Sequence, residues 1–194
     1  MNIRILLAAL AVTAGVAGCS QKDPAGEAIE AAANALNAVY EDAQKYVPER
    51  YAAVKGQLDA ARKAFEEERY ADAIAAVRDV PAQAEALAKE AAAEKEKRLA
   101  ELNADWARIE GTLPDLLTGI GGRLEEFGGM QRLPQGMDRQ LLEEANAALA
   151  SARTTWEEAT ALHGAGDLEG AVAKARSAEG MAQDLVARLG MQAA

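Results

Sequence analysis

KYVPERYAAVKGQLDAARKAFEEERYADAIAAV, residues 45–77, is the stretch whose reading decides the fold. Val47, Tyr51, Val54, Leu58, Ala61 and Phe65 recur at alternating steps of four and three, so they fall on one face of a helix. Pro48 suits the first turn of that helix, where its missing N–H would have had no partner. Glu66-Glu67-Glu68-Arg69 reads as the solvated helix end and a turn, and from Tyr70 a second apolar stripe begins with Ile74 and Val77. Helix, short turn, helix makes an antiparallel hairpin. Nowhere in the chain do β-branched residues alternate with the period of two that strands require.

Working outward, the same spacing continues. Upstream, Ile29, Ala32, Leu36, Val39, Ala43 and Tyr46 predict one helix over residues 25–46. Downstream, Val77, Val80, Ala84 and Leu87 extend the helix from Tyr70, with Pro81 expected to kink or split it. KEAAAEKEKR at residues 89–98 is polar all round and reads as exposed helix bridging two packed regions. Leu99, Leu102, Trp106, Ile109, Leu113, Leu116, Ile120, Leu124 and Phe127 then keep nearly coiled-coil spacing, with a bend or short turn expected at Gly111 and Pro114. Gly128-Gly129 and LPQG at residues 133–136 form a loop. Asp138 is placed to N-cap a helix carrying Leu142, Ala145, Leu149, Ala152, Trp156 and Ala159, which should end at His163-Gly164-Ala165-Gly166. Asp167 can cap the last helix.

The expected fold is therefore all-α: two related antiparallel helical hairpins joined by a long or kinked central helix, bundle-like or elongated. Its expected divisions are residues 25–110 for the first hairpin and long helix, 111–136 for a short helix and loop, and 137–190 for the second hairpin. An internal repeat supports the pairing. ARKAFEE at residues 61–67 matches ARTTWEE at 152–158 at an offset of 91, which puts Phe65 and Trp156 at the same place. Farther on, Ala73, Ile74, Ala75, Arg78, Ala84 and Leu87 match Ala171, Val172, Ala173, Arg176, Ala182 and Leu185 at an offset of 98.

FEEERYADAIAAV and LHGAGDLEGAVAKA resemble the helix-turn-helix of tetratricopeptide-type repeats, in which a turn residue precedes an aromatic or Leu and then spaced alanines. The spacing between the two is far from the about 34 residues of such arrays, so a peptide-binding superhelix is not implied. The longer stretch at residues 45–77 is similar to alanine-rich helical hairpins of unknown function in bacterial envelope lipoproteins.

The N-terminus points the same way. Arg4 supplies a positive charge, residues 5–16 are apolar, and Val16-Ala17-Gly18-Cys19 follows. The run is shorter than the about 20 residues a membrane helix needs. VAGC resembles a bacterial lipobox. The resemblance implies that residues 1–18 are a signal peptide, that Cys19 is lipidated, and that residues 19–24 are a short tether. Ser20 after the cysteine implies the periplasmic face of the outer membrane, with the inner membrane or a Gram-positive cell surface as alternatives. An ordinary secreted protein with Cys19 as a stray thiol is the competing reading.

Composition limits the partners. With 31 acidic against 21 basic side chains the formal charge is −10, which disfavours nucleic acid and would repel the body from anionic surfaces. His163 is the only histidine, at an expected helix end, so neither a histidine metal cluster nor a catalytic triad is expected. Glu125-Glu126, Glu143-Glu144 and Glu157-Glu158 lack the Glu-x-x-His pairs of a di-metal bundle and read as solvated faces. No phosphate-binding glycine loop follows a strand. No catalytic residue, metal or cofactor is expected, and the chain is not read as an enzyme.

Trp106 and Trp156 read as core anchors. The leading expectation is a lipid-anchored envelope protein acting as a helical scaffold, held on a membrane through Cys19 and meeting another envelope protein. The alternative is a peptide or small-ligand binding module with a groove lined by Tyr46, Tyr51, Tyr70 or Trp106. Burial of the tyrosines between helices would favour the scaffold.

Overall fold

The computed structural model describes residues 21–191, which form seven helices: α1 Lys22–Ala38, α2 Tyr40–Tyr46, α3 Pro48–Glu66, α4 Tyr70–Val77, α5 Val80–Gly129, α6 Arg139–Gly164 and α7 Leu168–Arg188. There is no strand among the described residues, and the chain is all-α. It divides into two compact units, with the boundary between Glu96 and Lys97 in the polar stretch of α5. None of these helices is long and apolar enough to cross a membrane.

In the first unit, α1 starts at Lys22, ahead of the expected Ala25. Pro24 lies in the first turn, where its lack of an N–H leaves no intrahelical bond broken. The single helix expected over residues 25–46 is two. Val39 leaves helical geometry (φ −110°, ψ 2°) and its N–H reaches back only three residues, to the Leu36 carbonyl at 3.3 Å. α2 then resumes the same stripe, so Ala32, Leu36 and Ala43 share one buried face. Val47, before proline, adopts φ −138° and ψ 52° and turns the chain into α3.

α3 buries Tyr51, Val54, Leu58, Ala61 and Ala64, while Phe65 is half-buried. Pro81 splits the next helix: α4 ends at Val77, Arg78 and Asp79 form a turn, and α5 carries Pro81 in its first turn. Val77, Val80, Ala84 and Leu87 complete the first core. Reciprocal amide hydrogen bonds between Gln57 and Gln83, at 2.9 and 3.1 Å, and a 3.1 Å Arg50–Glu90 ion pair tie α3 to α5.

In the second unit, α5 continues as one helix through Gly111 and Pro114, so of the bend or short turn expected there the turn is absent, and residues 111–129 are its C-terminal part. Pro114 is exposed, which leaves water free to satisfy the carbonyl its missing N–H would have bonded. The Thr118 hydroxyl donates to the Pro114 carbonyl at 2.9 Å. The buried seam is Leu102, Trp106, Ile109, Leu113, Leu117, Ile120, Leu124 and Phe127. Leu117 replaces the expected Leu116, which is only half-buried, and Leu99 is 43% exposed. A helix of 3.6 residues per turn drifts off a strict heptad, so one extra step of four keeps the stripe on the core.

Asp138 and Asp167 cap α6 and α7 as their spacing implies, accepting hydrogen bonds from the N–H groups of Leu141 (2.8 Å) and Gly170 (2.9 Å). α6 and α7 pack through Ala145, Leu149, Ala152 and Ala159 against Ala171, Val172, Ala175, Ala178, Ala182 and Leu185. Alanine methyls let helix axes approach closely but bury little area each. Neither unit's core contains a buried polar or charged residue.

The turns fix how the units correspond. Arg69 N–H donates to the Ala64 carbonyl (2.9 Å) and Glu68 N–H to Phe65 (3.0 Å); Asp167 N–H donates to Leu162 (3.0 Å) and Gly166 N–H to His163 (3.0 Å). Each partner in the second set lies 98 residues after its counterpart. The same offset carries the buried Tyr51, Val54, Ala61, Ala73, Val77, Val80, Ala84 and Leu87 onto the buried Leu149, Ala152, Ala159, Ala171, Ala175, Ala178, Ala182 and Leu185. Phe65 therefore corresponds to His163 and not to Trp156, which corrects the match at an offset of 91. The units differ in the connection before the hairpin, which is Val47 alone in the first and the irregular residues 130–138 in the second.

Candidate functional site

Four aromatic side chains and Cys19 are the candidates to place. Cys19 lies outside the described residues. Tyr51 is buried in the first core at 9% exposure and meets the ring of the more exposed Tyr40 edge-on, centroids 5.7 Å apart. Tyr46, at the end of α2, is half-buried beneath the ammonium groups of Lys45 and Lys95, 5.3 and 5.9 Å from its ring centre. Lys95 also pairs with Asp42 at 3.1 Å, so this cation ties α5 to α2.

Tyr70 belongs to a different cluster. It contacts Phe65 edge-on at 5.2 Å beside Ala25, Ala64 and Ala73, at the α3–α4 turn. Trp106 belongs to the second unit, where it is 5% exposed. Its indole stacks with Trp156 (5.3 Å, 19°) and with the His163 imidazole (4.1 Å, 7°). Trp156 and His163 are seven residues apart on α6, two turns along one face, so one helix presents both rings to α5. That spacing was available in the sequence, and it assigns His163 a packing role beyond its place in the last turn of α6. The Trp106 Nε1–H is buried and has no acceptor.

Tyr51 and Tyr70 thus belong to separate clusters of the first unit, Tyr46 lies in neither, and Trp106 sits in the core of the second. Two surface depressions are lined by other residues. One, of about 190 Å³, lies between Gly136, Met137, Leu141, Glu144, Ala145, Arg188 and Leu189. The other is an open hollow at Glu158, Ala161, Leu162 and Lys174, crossed by a Lys174–Glu158 ion pair of 2.6 Å.

Perturbed acids are explained by neighbouring arginines. Hydrogen bonds from Arg69 hold the Glu67 carboxyl below the usual carboxylate range, and Arg78 does the same to Asp79. Glu179 is likewise lowered, chiefly by a two-pronged hydrogen bond from Arg108 (2.5 and 2.9 Å) that ties α5 to α7. Arg176 and Asp105 form a second tie between those helices. None of these acids adjoins a nucleophile or a second perturbed carboxyl. Among the described residues no three His, Cys, Asp or Glu side chains are grouped to hold a metal ion. No protein-family model, curated protein or solved structure matches the chain.

Proposed function

We propose that this is a lipid-anchored cell-envelope protein that works without catalysis, as a helical scaffold or interaction module. The observation that carries the reading is VAGC at residues 16–19, directly behind Arg4 and the apolar run 5–16. On that reading Cys19 bears the acyl chains, and about 0.8 kcal/mol for each buried methylene makes two or more chains a stable anchor. Ser20 favours the outer membrane.

Two structural features support the scaffold part. Tyr51 is spent on the first core and Trp106 on the second, so neither is left to line a ligand groove. The perturbed acids are structural ion pairs. Helix α1 begins at Lys22, three residues after Cys19, so the first unit would lie close to the membrane that holds the lipid.

The test is fractionation of cells expressing the wild-type chain or Cys19→Ala. Wild type should sediment with membranes and incorporate labelled fatty acid, while the variant should do neither. Membrane association unchanged by Cys19→Ala would overturn the anchor. Crosslinking in intact cells followed by mass spectrometry would then name the partner.

A further inference from the structure

Beyond Met1 the chain has four methionines, at positions 130, 137, 181 and 191, and all of them belong to the second unit. The described residues of the first unit contain none. Three of the four gather at one end of the second unit. Met130 follows the last turn of α5, and its carbonyl accepts a hydrogen bond from Arg139 at 3.3 Å. Met137 lines the depression of about 190 Å³ together with Leu141, Ala145 and Leu189. Met191 is two residues beyond Leu189. Met181 stands apart, two turns before the end of α7.

Met137 and Met191 are both half-buried and pack against the second core, so each meets solvent on one side and apolar atoms on the other. Met130, by contrast, is 36% exposed. Met191 also closes a helix end. Gly190 takes left-handed backbone (φ 63°), its N–H donates to the Ala187 carbonyl at 3.3 Å, and the Met191 N–H donates to the Val186 carbonyl at 3.0 Å. Helix ends of this pattern are commonly sealed by apolar contact between the residue after the glycine and the one whose carbonyl it bonds. Here those residues are Met191 and Val186, and both pack in the second core.

We propose that Met137 and Met191 are oxidation sites that latch this end of the second unit: conversion of their thioethers to sulfoxides by a peroxide releases residues 130–138 and the end of α7 from the core. The thioether sulfur attacks one peroxide oxygen, the O–O bond breaks, an S=O bond forms, and the second oxygen leaves as water with both protons. Sulfur gives up the two electrons that the peroxide gains. A thioether needs no hydrogen bond and so can lie on an apolar core, whereas a sulfoxide is polar. Its oxygen either stays unpaired against the core or draws the side chain outward, to water or to Arg188, which lines the same depression. In both cases Ala145 and Leu189, 4% and 5% exposed, lose their cover. The sulfoxide is reducible, so the latch can close again. None of this depends on acylation of Cys19.

The test uses residues 19–194 with Cys19→Ala, which keeps every described helix and leaves methionine as the only sulfur-bearing residue. Trp106 and Trp156, the chain's two tryptophans, both belong to the second unit, so their emission follows that unit's unfolding in urea without a signal from the first. Hydrogen peroxide should add one oxygen each to Met130, Met137 and Met191 by peptide mass spectrometry, Met130 first, and should lower the urea midpoint by about 1 M. The two stereospecific methionine sulfoxide reductases, with dithiothreitol, should restore the midpoint. M137L/M191L exchanges side chains of similar volume. Its midpoint should not move with peroxide, although Met130 and Met181 remain free to take up oxygen. M130L/M181L should lose as much as the parent chain. If M137L/M191L does not fold, the parent chain decides, because its midpoint must fall as oxygen accumulates at Met137 and Met191 and not during the earlier reaction of Met130. No oxygen uptake at Met137 or Met191, an unmoved midpoint once both are oxidised, an equal loss in M137L/M191L, or a loss that the reductases do not reverse would each overturn the proposal.

Discussion

Glu68 and Gly166 occupy the same position in two copies of one turn, 98 residues apart, and both have left-handed backbone, with φ of 60° and 85°. Glycine adopts this conformation freely, whereas a side chain crowds its own carbonyl there. Glu68→Gly should raise the stability of the first unit by up to about 1 kcal/mol, and Gly166→Ala should lower that of the second by a similar amount. Urea denaturation of each variant measures both. Opposite signs would show that the hydrogen bonds of the turn, and not its backbone angles, set the balance.

Trp106 should be the most sensitive core position of the second unit. Trp106→Ala empties the contact with Trp156 and His163 and should cost about 3–5 kcal/mol. Trp106→Phe keeps a ring and removes the unpaired Nε1–H, so its cost should be well under half of that. The midpoint of urea unfolding, followed by circular dichroism, gives the comparison.

Pro114 interrupts the hydrogen-bond ladder of α5 at an exposed site. Pro114→Ala restores one N–H to that ladder and should stabilise the second unit by about 1–3 kcal/mol. A loss of stability would mean that the proline shapes α5 to fit α6 and α7.

The Arg108–Glu179 pair gives acid sensitivity of known sign. The Glu179 carboxyl is held below its ordinary value, so its contribution is fully present above the unfolded pKa, about 4.3, and is lost as pH falls through the lower folded value. With Arg108 half exposed, the contribution at neutral pH should stay under about 1 kcal/mol. Glu179→Gln should therefore destabilise modestly at pH 7 and match wild type once pH is well below 4. Thermal unfolding across that range checks it.

Much of this architecture is legible in local chemistry. Pro48 and Pro81 mark helix starts because the first turn has no use for their missing N–H, and Asp138 and Asp167 announce caps because each carboxylate lies three residues from an open N–H. What escaped was set by tertiary context. Val39 carries no breaker signal, and its departure from the helix appears only when Leu36 and Ala43 are both laid on α3. Leu99 and Leu116 obey the heptad, but Leu99 is exposed and Leu116 only borders the core, whereas Leu117 is buried in it. Among the candidate residues, their apolar stripes already placed Tyr51 and Trp106 on packed faces.

The unequal connections between helices bear on how such a chain avoids misassembly. Two hairpins with corresponding buried positions could exchange helices while folding, since Ala61 and Ala159, or Leu87 and Leu185, offer nearly the same contour to an incoming helix. Val47 alone cannot reach across a gap that the nine residues 130–138 can span, so α3 must stay beside α2 while its buried face packs on α1 and α4.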